Sequence, residues 1–437
     1  MSQYLPNLIF VILLVLGVGY FSRNVKKLIR NIKLGKKVDA SDHKSQRWKN
    51  MTRIALGQSK MVTRPVAGIM HVIVYIGFVI INIEVLEIVL DGILGTHRLF
   101  LKPLGPVAYG FLIGTFEILA VLVILAVVVF WLRRNVIKLK RFMSSEMTGW
   151  PKNDANIILY FEVVLMFLFL TMNATDTSFQ QLGLGNVVSQ YMAGWFSGFD
   201  EHTLHVIERT AWWLHIVGIL IFLNYLYFSK HLHILLAFPN TYYGSLKPKG
   251  EFNNLEAVTK EVKLMMDPNA DPFAAPVDDS EDEPEKFGAS DVMDLNRIQL
   301  LNAYTCTECG RCTSECPANQ TGKKLSPRKI MMDTRDRLEE VGRNIDQNNG
   351  AFADDGKQLL GDYISHEELW ACTSCNACVE ACPVSIDPLS IIMDMRRYLV
   401  MEQSAAPMEL NNMMTNIENN GAPWPYNQMD RLNWAKE

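Results

Sequence analysis

The first 305 of the 437 residues contain no cysteine, and all eight fall between Cys306 and Cys382. That distribution excludes a disulfide framework running through the fold. The tight C-x-x-C spacing reads instead as metal or cluster binding in a reducing compartment. Charge is as uneven. Residues 176–208 hold no Lys or Arg, and residues 267–285 hold eight acids, four prolines and no base. The second stretch cannot bury a core, so a flexible tether is expected between the two halves. No G-x-G-x-x-G turn, phosphate-binding loop or Ser/His/Asp arrangement stands out, which leaves no evident nucleotide site or hydrolytic centre. Nor does any cysteine remain outside the two motifs for redox chemistry on a substrate.

Long apolar runs are abundant up to about residue 238. Five of them, near 5–22, 66–90, 107–132, 157–174 and 210–236, approach the roughly 20 residues that span a bilayer as helix. The first lacks a basic leader and a small-residue cleavage site, so it reads as a retained anchor. Between Arg23 and Arg64 there are thirteen Lys/Arg and two acids, and residues 133–156 carry six against two. Loop 91–106 has two bases. The positive-inside rule then places the N-terminus outside and both basic loops in the cytoplasm, with everything after residue 238 cytoplasmic too.

Four histidines lie in the second and fifth runs: His71, His215, His231 and His233. A lone intramembrane His is often an interhelical hydrogen-bonding residue. Several in one bundle point to axial ligation of haem iron. In one continuous fifth helix, His215 and His233 would be five turns apart on one face, about 27 Å along the axis, with His231 pointing elsewhere. They would then serve different haems. His71 and His233, both near the cytoplasmic side, would clamp one haem b. His215 is the candidate for a second, although its counterpart position on the second run holds Ile81 and Asn82. A ligand would have to come from His97, His202 or His205. Glu84, Glu87, Glu117 and Glu162 also fall in the runs. Intramembrane acids are costly, so each is either hydrogen-bonded between helices or involved with quinone or protons.

The polar half has its own pattern. "DVMDLNRIQLLNAY" carries helical periodicity into the first cysteine motif. Pro327 opens a second helix, "HEELWACTSC" enters the second motif, and "DPLSIIMDMRRYLVMEQ" follows it as another helix. The motifs "CTECGRCTSECP" and "CTSCNACVEACP" are one pseudo-repeat, C-x2-C-x2-C-x3-C-P. In two-cluster ferredoxins with this spacing, the fourth cysteine of each motif ligates the other cluster. Cluster one is then expected on Cys306, Cys309, Cys312 and Cys382, and cluster two on Cys372, Cys375, Cys378 and Cys316. Tetrahedral zinc would also consume eight cysteines, but the doubled motif ending in proline favours [4Fe–4S].

The membrane half, with His71, His215 and His233 so placed, resembles the gamma-type cytochrome b subunit of respiratory nitrate reductases and related membrane subunits of heterodisulfide reductases. That resemblance implies haem b held between the second and fifth spans. The cysteine half resembles the di-cluster subunit of heterodisulfide-reductase-like proteins. The tail "NIENNGAPWPYNQMDRLNW" is similar to a segment that follows that domain in fused relatives. Some of those, of the electron-transfer-flavoprotein:menaquinone oxidoreductase type, continue into a cysteine-rich CCG domain. None follows before Glu437, which implies that a CCG-domain iron–sulfur or flavoprotein subunit supplies the substrate-side centre.

The expected fold is mostly α: a five-helix transmembrane bundle (1–240), an acidic linker (241–290), a small helical two-cluster ferredoxin-type domain (291–402) and a tail (403–437). The expected function is relay of electrons between a cytoplasmic partner, two [4Fe–4S] clusters, haem b and the quinone pool of the inner (cytoplasmic) membrane. Nucleic acid is not an expected partner. A self-contained quinone-linked oxidoreductase and a redox-sensing or scaffolding iron–sulfur protein are the alternatives. A transporter would require a broken-helix or repeat signature that is not seen.

Overall fold

The computed structural model describes residues 4–268 and 286–436; most of the acidic stretch, 269–285, lies outside them. Among the described residues all regular structure is helical, apart from two isolated backbone bridges. Five helices are long and apolar enough to cross a membrane: Leu5–Lys33, Pro65–Leu94, Leu101–Asn135, Trp150–Thr175 and Glu201–Phe228. Proline stands in the first turn of the first, second and fourth, where its missing N–H has no helical partner to lose. Arginines or lysines close the first and third, where they meet the partial negative charge of the helix end. Gly77 opposite Val123 and Gly218 opposite Leu165 leave no room for a Cβ, so small residues set the close approach of the helices.

The fifth apolar run is not one helix. It ends at Tyr225, turns through Leu226–Phe228, and becomes extended at Ser229 (φ −112°, ψ 150°). A short turn, Lys230–Leu232, then leads into a separate helix, His233–Tyr243. His215 and His233 therefore lie on different helices, and the five-turn spacing between them does not apply. The break has a local cause. The Ser229 hydroxyl accepts the His231 N–H (3.1 Å), and the Asp154 carboxylate accepts both the Tyr225 hydroxyl (2.6 Å) and the Lys230 N–H (3.2 Å). Backbone groups that would have continued the helix find side-chain partners instead.

The cluster domain is built on three capped helices. Asn296 caps Arg297–Thr305 in a reciprocal box with Gln299, Ser326 caps Pro327–Gln347, and Asp387 caps Pro388–Met401. Leu300, Ile330, Leu338, Val341, Ile391, Met395 and Leu399 fill its core, which also takes in Leu28 and Leu232 from the membrane half. Two arginines are fully buried. Arg337 pairs with Asp291 and Asp355, and Arg328 reaches the Glu146 carboxylate (2.7 Å) and the Arg141 carbonyl (2.6 Å). The expected linker is partly structured, with a helix at Glu256–Met266 and Ala289 and Ser290 buried on the cluster domain. The tail forms a helix, Met408–Asn420, with no buried side chain.

Docking uses every segment at one end of the bundle. Arg64 pairs with Glu315, and Arg311 donates to the Lys60 and Met61 carbonyls. The Asn31 amide donates to the Tyr304 hydroxyl (2.9 Å), and Lys36 and Asn296 form a backbone bridge. Beside that bridge a Cβ on Gly35 would stand 2.7 Å from the Leu295 carbonyl oxygen. Gly35→Val is therefore expected to loosen the interface by about 1–3 kcal/mol through overpacking. Limited proteolysis between residues 245 and 290 should release the cluster domain from membranes of the variant and leave it bound in the parent. Equal retention would show that the contact at Gly35 does not hold the two halves together.

Candidate cofactor centres

The two cysteine loops repeat in backbone as well as in sequence. Glu308 and Gly310 in the first, and Ser374 and Asn376 in the second, all adopt positive φ (55°, 70°, 56° and 65°). Each loop then enters a one-turn helix, Arg311–Glu315 or Ala377–Ala381. Gly310 suits its place, with φ at 70° and the Arg328 guanidinium 2.5 Å from where a Cβ would stand. Backbone N–H groups turn toward sulfur, with Ser374 donating to Cys372 (3.4 Å) and Ile386 to Cys382 (3.3 Å).

The loops interleave. Cys306, Cys309, Cys312 and Cys382 line one cavity, whose wall Cys378 also touches. Cys316 lies close enough to Cys372 and Cys378 to act on both electrostatically. Burial and neighbouring thiols push Cys306 up to about 12 and Cys382 up to about 11, and burial raises Cys312 and Cys378 as well. Thiols so crowded and buried become thiolates only against a strong local positive charge, which iron–sulfur clusters provide. The donor set fits those clusters. Cys375 is exposed, whereas Cys306, Cys316, Cys378 and Cys382 are buried.

Glu308, between the first two cysteines, is 3% exposed and meets Lys230, 6% exposed, in a buried ion pair. Arg335 (2.9 Å) pairs with the other Glu308 oxygen, and the Lys230 ammonium also donates to the Pro151 carbonyl (2.6 Å). Burial alone would push the Glu308 carboxyl up, but Lys230 and Arg335 hold it below its ordinary value. The pair joins the first cysteine loop to the turn that carries His231 and His233.

At that turn the rings of His71 and His233 lie 6.4 Å apart, centre to centre. Two imidazoles bound to one metal ion from opposite sides, with bonds of about 2 Å, hold their centres about 6 Å apart. His233 Nδ1 donates to the Lys230 carbonyl (3.2 Å), which orients the ring and leaves Nε2 as the nitrogen free to act as an acceptor. This pair fits an axial set for haem. His231 does not point elsewhere, as helical spacing implied: the break at Ser229 sets its ring 5.5 Å from that of His233.

His215 sits apart, toward the opposite end of the bundle. Its Nδ1 donates to the Leu165 carbonyl (3.0 Å), and its Nε2 faces Glu84 (3.9 Å) where a second haem ligand would be needed. His97, another candidate partner, instead meets Asp176 (3.0 Å). The other acids differ in their company. Glu117 accepts from Asn173 and from the Val188 and Ser189 N–H groups, and Glu87 from the Phe100 N–H and the Tyr109 hydroxyl. Both are hydrogen-bonded between segments. Glu162 is half-buried along its span.

Sequence reasoning missed Lys230 and Glu308. The available signals were a lysine inside an apparent apolar span and an acid between two cysteines. Lys230→Met leaves Glu308 with Arg335 alone and is expected to cost about 3 kcal/mol, within the range for breaking a buried pair. The readout is a lower midpoint for thermal bleaching of cluster absorbance, with Lys230→Arg much closer to the parent. An unchanged midpoint in Lys230→Met would show that the pair contributes nothing.

A family described as a 4Fe-4S dicluster domain matches residues 305–386, which hold both cysteine motifs. The chain is 30% identical over 98% of its length to a probable iron-sulfur-binding oxidoreductase, FadF, of Bacillus subtilis, of which it covers 61%. It is 26% identical over 98% of its length to the EtfAB:quinone oxidoreductase of Syntrophomonas wolfei, covering 59% of that protein. Over 27% of the chain it is 31% identical to one component of a CoB-CoM heterodisulfide reductase of Methanosarcina acetivorans, covering 60% of it. The chain thus spans about three fifths of the length of these relatives. No solved structure matches. What the chain shares with its relatives is a two-cluster iron–sulfur domain of the kind found in oxidoreductases.

Proposed function

We propose that the chain is a membrane-bound electron-transfer subunit, relaying electrons between a cytoplasmic redox partner, two [4Fe–4S] clusters, one haem b and the quinone pool. The observation that carries this reading is the turn Lys230–His233. It presents His233 to His71 on one side and, through Lys230, grips the first cysteine loop at Glu308 on the other. In this reading Cys306, Cys309, Cys312 and Cys382 hold one cluster and Cys372, Cys375, Cys378 and Cys316 the other. His71 and His233 hold the haem. These cofactors supply one-electron chemistry at potentials that the surrounding protein tunes.

The residues of the chain set position and access. Glu308, Arg335 and Lys230 fix the first loop against the bundle, and Arg311 and Arg64 hold its far side. Cys375, the exposed cysteine of the second loop, marks the entry side for a soluble partner of CCG-domain iron–sulfur or flavoprotein type. The relative named as an EtfAB:quinone oxidoreductase supports a flavoprotein donor and a quinone acceptor. Both basic loops lie at the end where the cluster domain docks: Arg64 pairs with Glu315, and Arg141 and Glu146 receive Arg328. That agrees with a cytoplasmic cluster domain and an N-terminus outside. With Glu84 facing His215, one haem rather than two is proposed.

Optical and EPR redox titration of the purified protein tests the reading, with two [4Fe–4S] signals and one b-type haem expected. Absence of haem together with clusters that stay oxidised at physiological potentials would overturn it in favour of a scaffolding or sensing role. His71→Ala is expected to abolish the haem spectrum and keep both cluster signals; a full spectrum in the variant would remove His71 as a ligand. Cys309→Ser and Cys382→Ser should perturb the same cluster signal, because the loops interleave, and Cys375→Ser the other one.

A further inference from the structure

The end of the bundle remote from the cluster domain holds a second polar centre that the electron carriers do not use. A cavity of about 20 Å³ is lined there by Glu84, Glu87, Asp91, His97, Arg98 and Glu208, with Ile88, Phe169 and Trp212 as apolar wall. That volume suits a water molecule and is too small for a quinone ring. The cavity runs from Glu84, whose side chain is 3% exposed, to His97, whose side chain is 48% exposed.

Most of the charged groups along this route already have partners. Asp91 accepts the Arg98 and Leu99 N–H groups (2.8 and 3.1 Å), and Arg98 donates to Asp176 (2.7 Å), Tyr109 (3.2 Å) and Asn173 (3.0 Å). Glu208 is paired with Arg209. Glu84 differs, because neither of its carboxyl oxygens has a hydrogen-bond partner, and His215 Nε2 beside it has none either. The Leu165 carbonyl decides the tautomer of His215. It accepts from Nδ1, so in the neutral ring Nε2 is left with a lone pair. A lone pair aimed at a carboxyl 3.9 Å away calls for an O–H donor, directly or through one water.

We propose that Glu84 and His215 form a proton-exchange site, with the proton carried on the Glu84 carboxyl, directed at His215 Nε2, and exchanged with the remote aqueous face through the cavity that opens at His97. Its use rests on the electron-transfer reading. An electron entering a low-dielectric bundle raises the energy of the whole centre, and a proton drawn in at Glu84 offsets that charge. One proton enters for one electron: Glu84 passes its proton to His215 Nε2, breaking the O–H bond and forming an N–H bond, and takes a proton from the remote aqueous face in its place, and both transfers reverse when the electron leaves.

Infrared spectroscopy of the full chain in lipid nanodiscs tests the site. The resting protein should show a carboxylic C=O band that shifts down in D2O before the slow amides of the bundle exchange and that is missing from Glu84→Gln. Unchanged cluster EPR signals would show that the variant is folded. If Glu84→Gln does not assemble, His215→Asn takes its place, and loss of the hydrogen-bond acceptor should move the band to higher frequency. A carboxylic region identical in parent and Glu84→Gln, unmoved by His215→Asn, or a Glu84 band that D2O never shifts, would overturn the proposal. Reduction of the clusters separates the two readings. A band that exchanges but does not respond to reduction leaves the proton site standing and removes the electron path into the bundle.

Discussion

The buried ion pair between Lys230 and Glu308 is the constraint on which the geometry of the first cysteine loop and of the His71–His233 pair depends. Two charges removed from water are costly unless each is fully partnered, and here Arg335, Asp154 and the Pro151 carbonyl complete the set. The pair can form only if the fifth membrane helix stops at Tyr225 and the chain turns at Ser229. It also needs the first cysteine loop to hold Glu308 at φ 55°. One contact therefore demands a helix break on one side and a left-handed loop residue on the other. These features place His233 opposite His71 and the first cysteine loop over the end of the bundle.

Much of this was legible in the sequence. The five spans follow from apolar length, and the two cysteine loops from a spacing that is covalent and local. Pro327 marks a helix start through its fixed backbone angle, and Asn296 and Asp387 through side-chain oxygens that accept the first free N–H groups. The break at Ser229 was not legible from periodicity, because the run from 210 to 236 stays apolar across it. The signal was there in another form: a serine that can cap, followed by a lysine that a membrane helix would not tolerate unpaired. His231 was misplaced for the same reason, since helical spacing was carried through a residue that is not helical.

Long-range pairs left weaker traces. Arg328 and Arg337 sit on an amphipathic helix and would pass for surface residues, yet both are fully buried. Their partners lie 182 residues away at Glu146 and 46 residues away at Asp291. Glu84 and Glu117 look alike as acids within apolar runs. What separates them is the Asn173 amide and two backbone N–H groups that reach Glu117 from other segments, while neither Glu84 oxygen has a hydrogen-bond partner.

Leu28 and Leu232 belong by sequence to the membrane half, but their side chains complete the hydrophobic core of the cluster domain. Biogenesis is constrained by this. The core of the cluster-binding half is complete only when the end of the first helix and the turn after the fifth stand against it. Iron and sulfide delivered before that moment would meet an open, solvent-wetted scaffold.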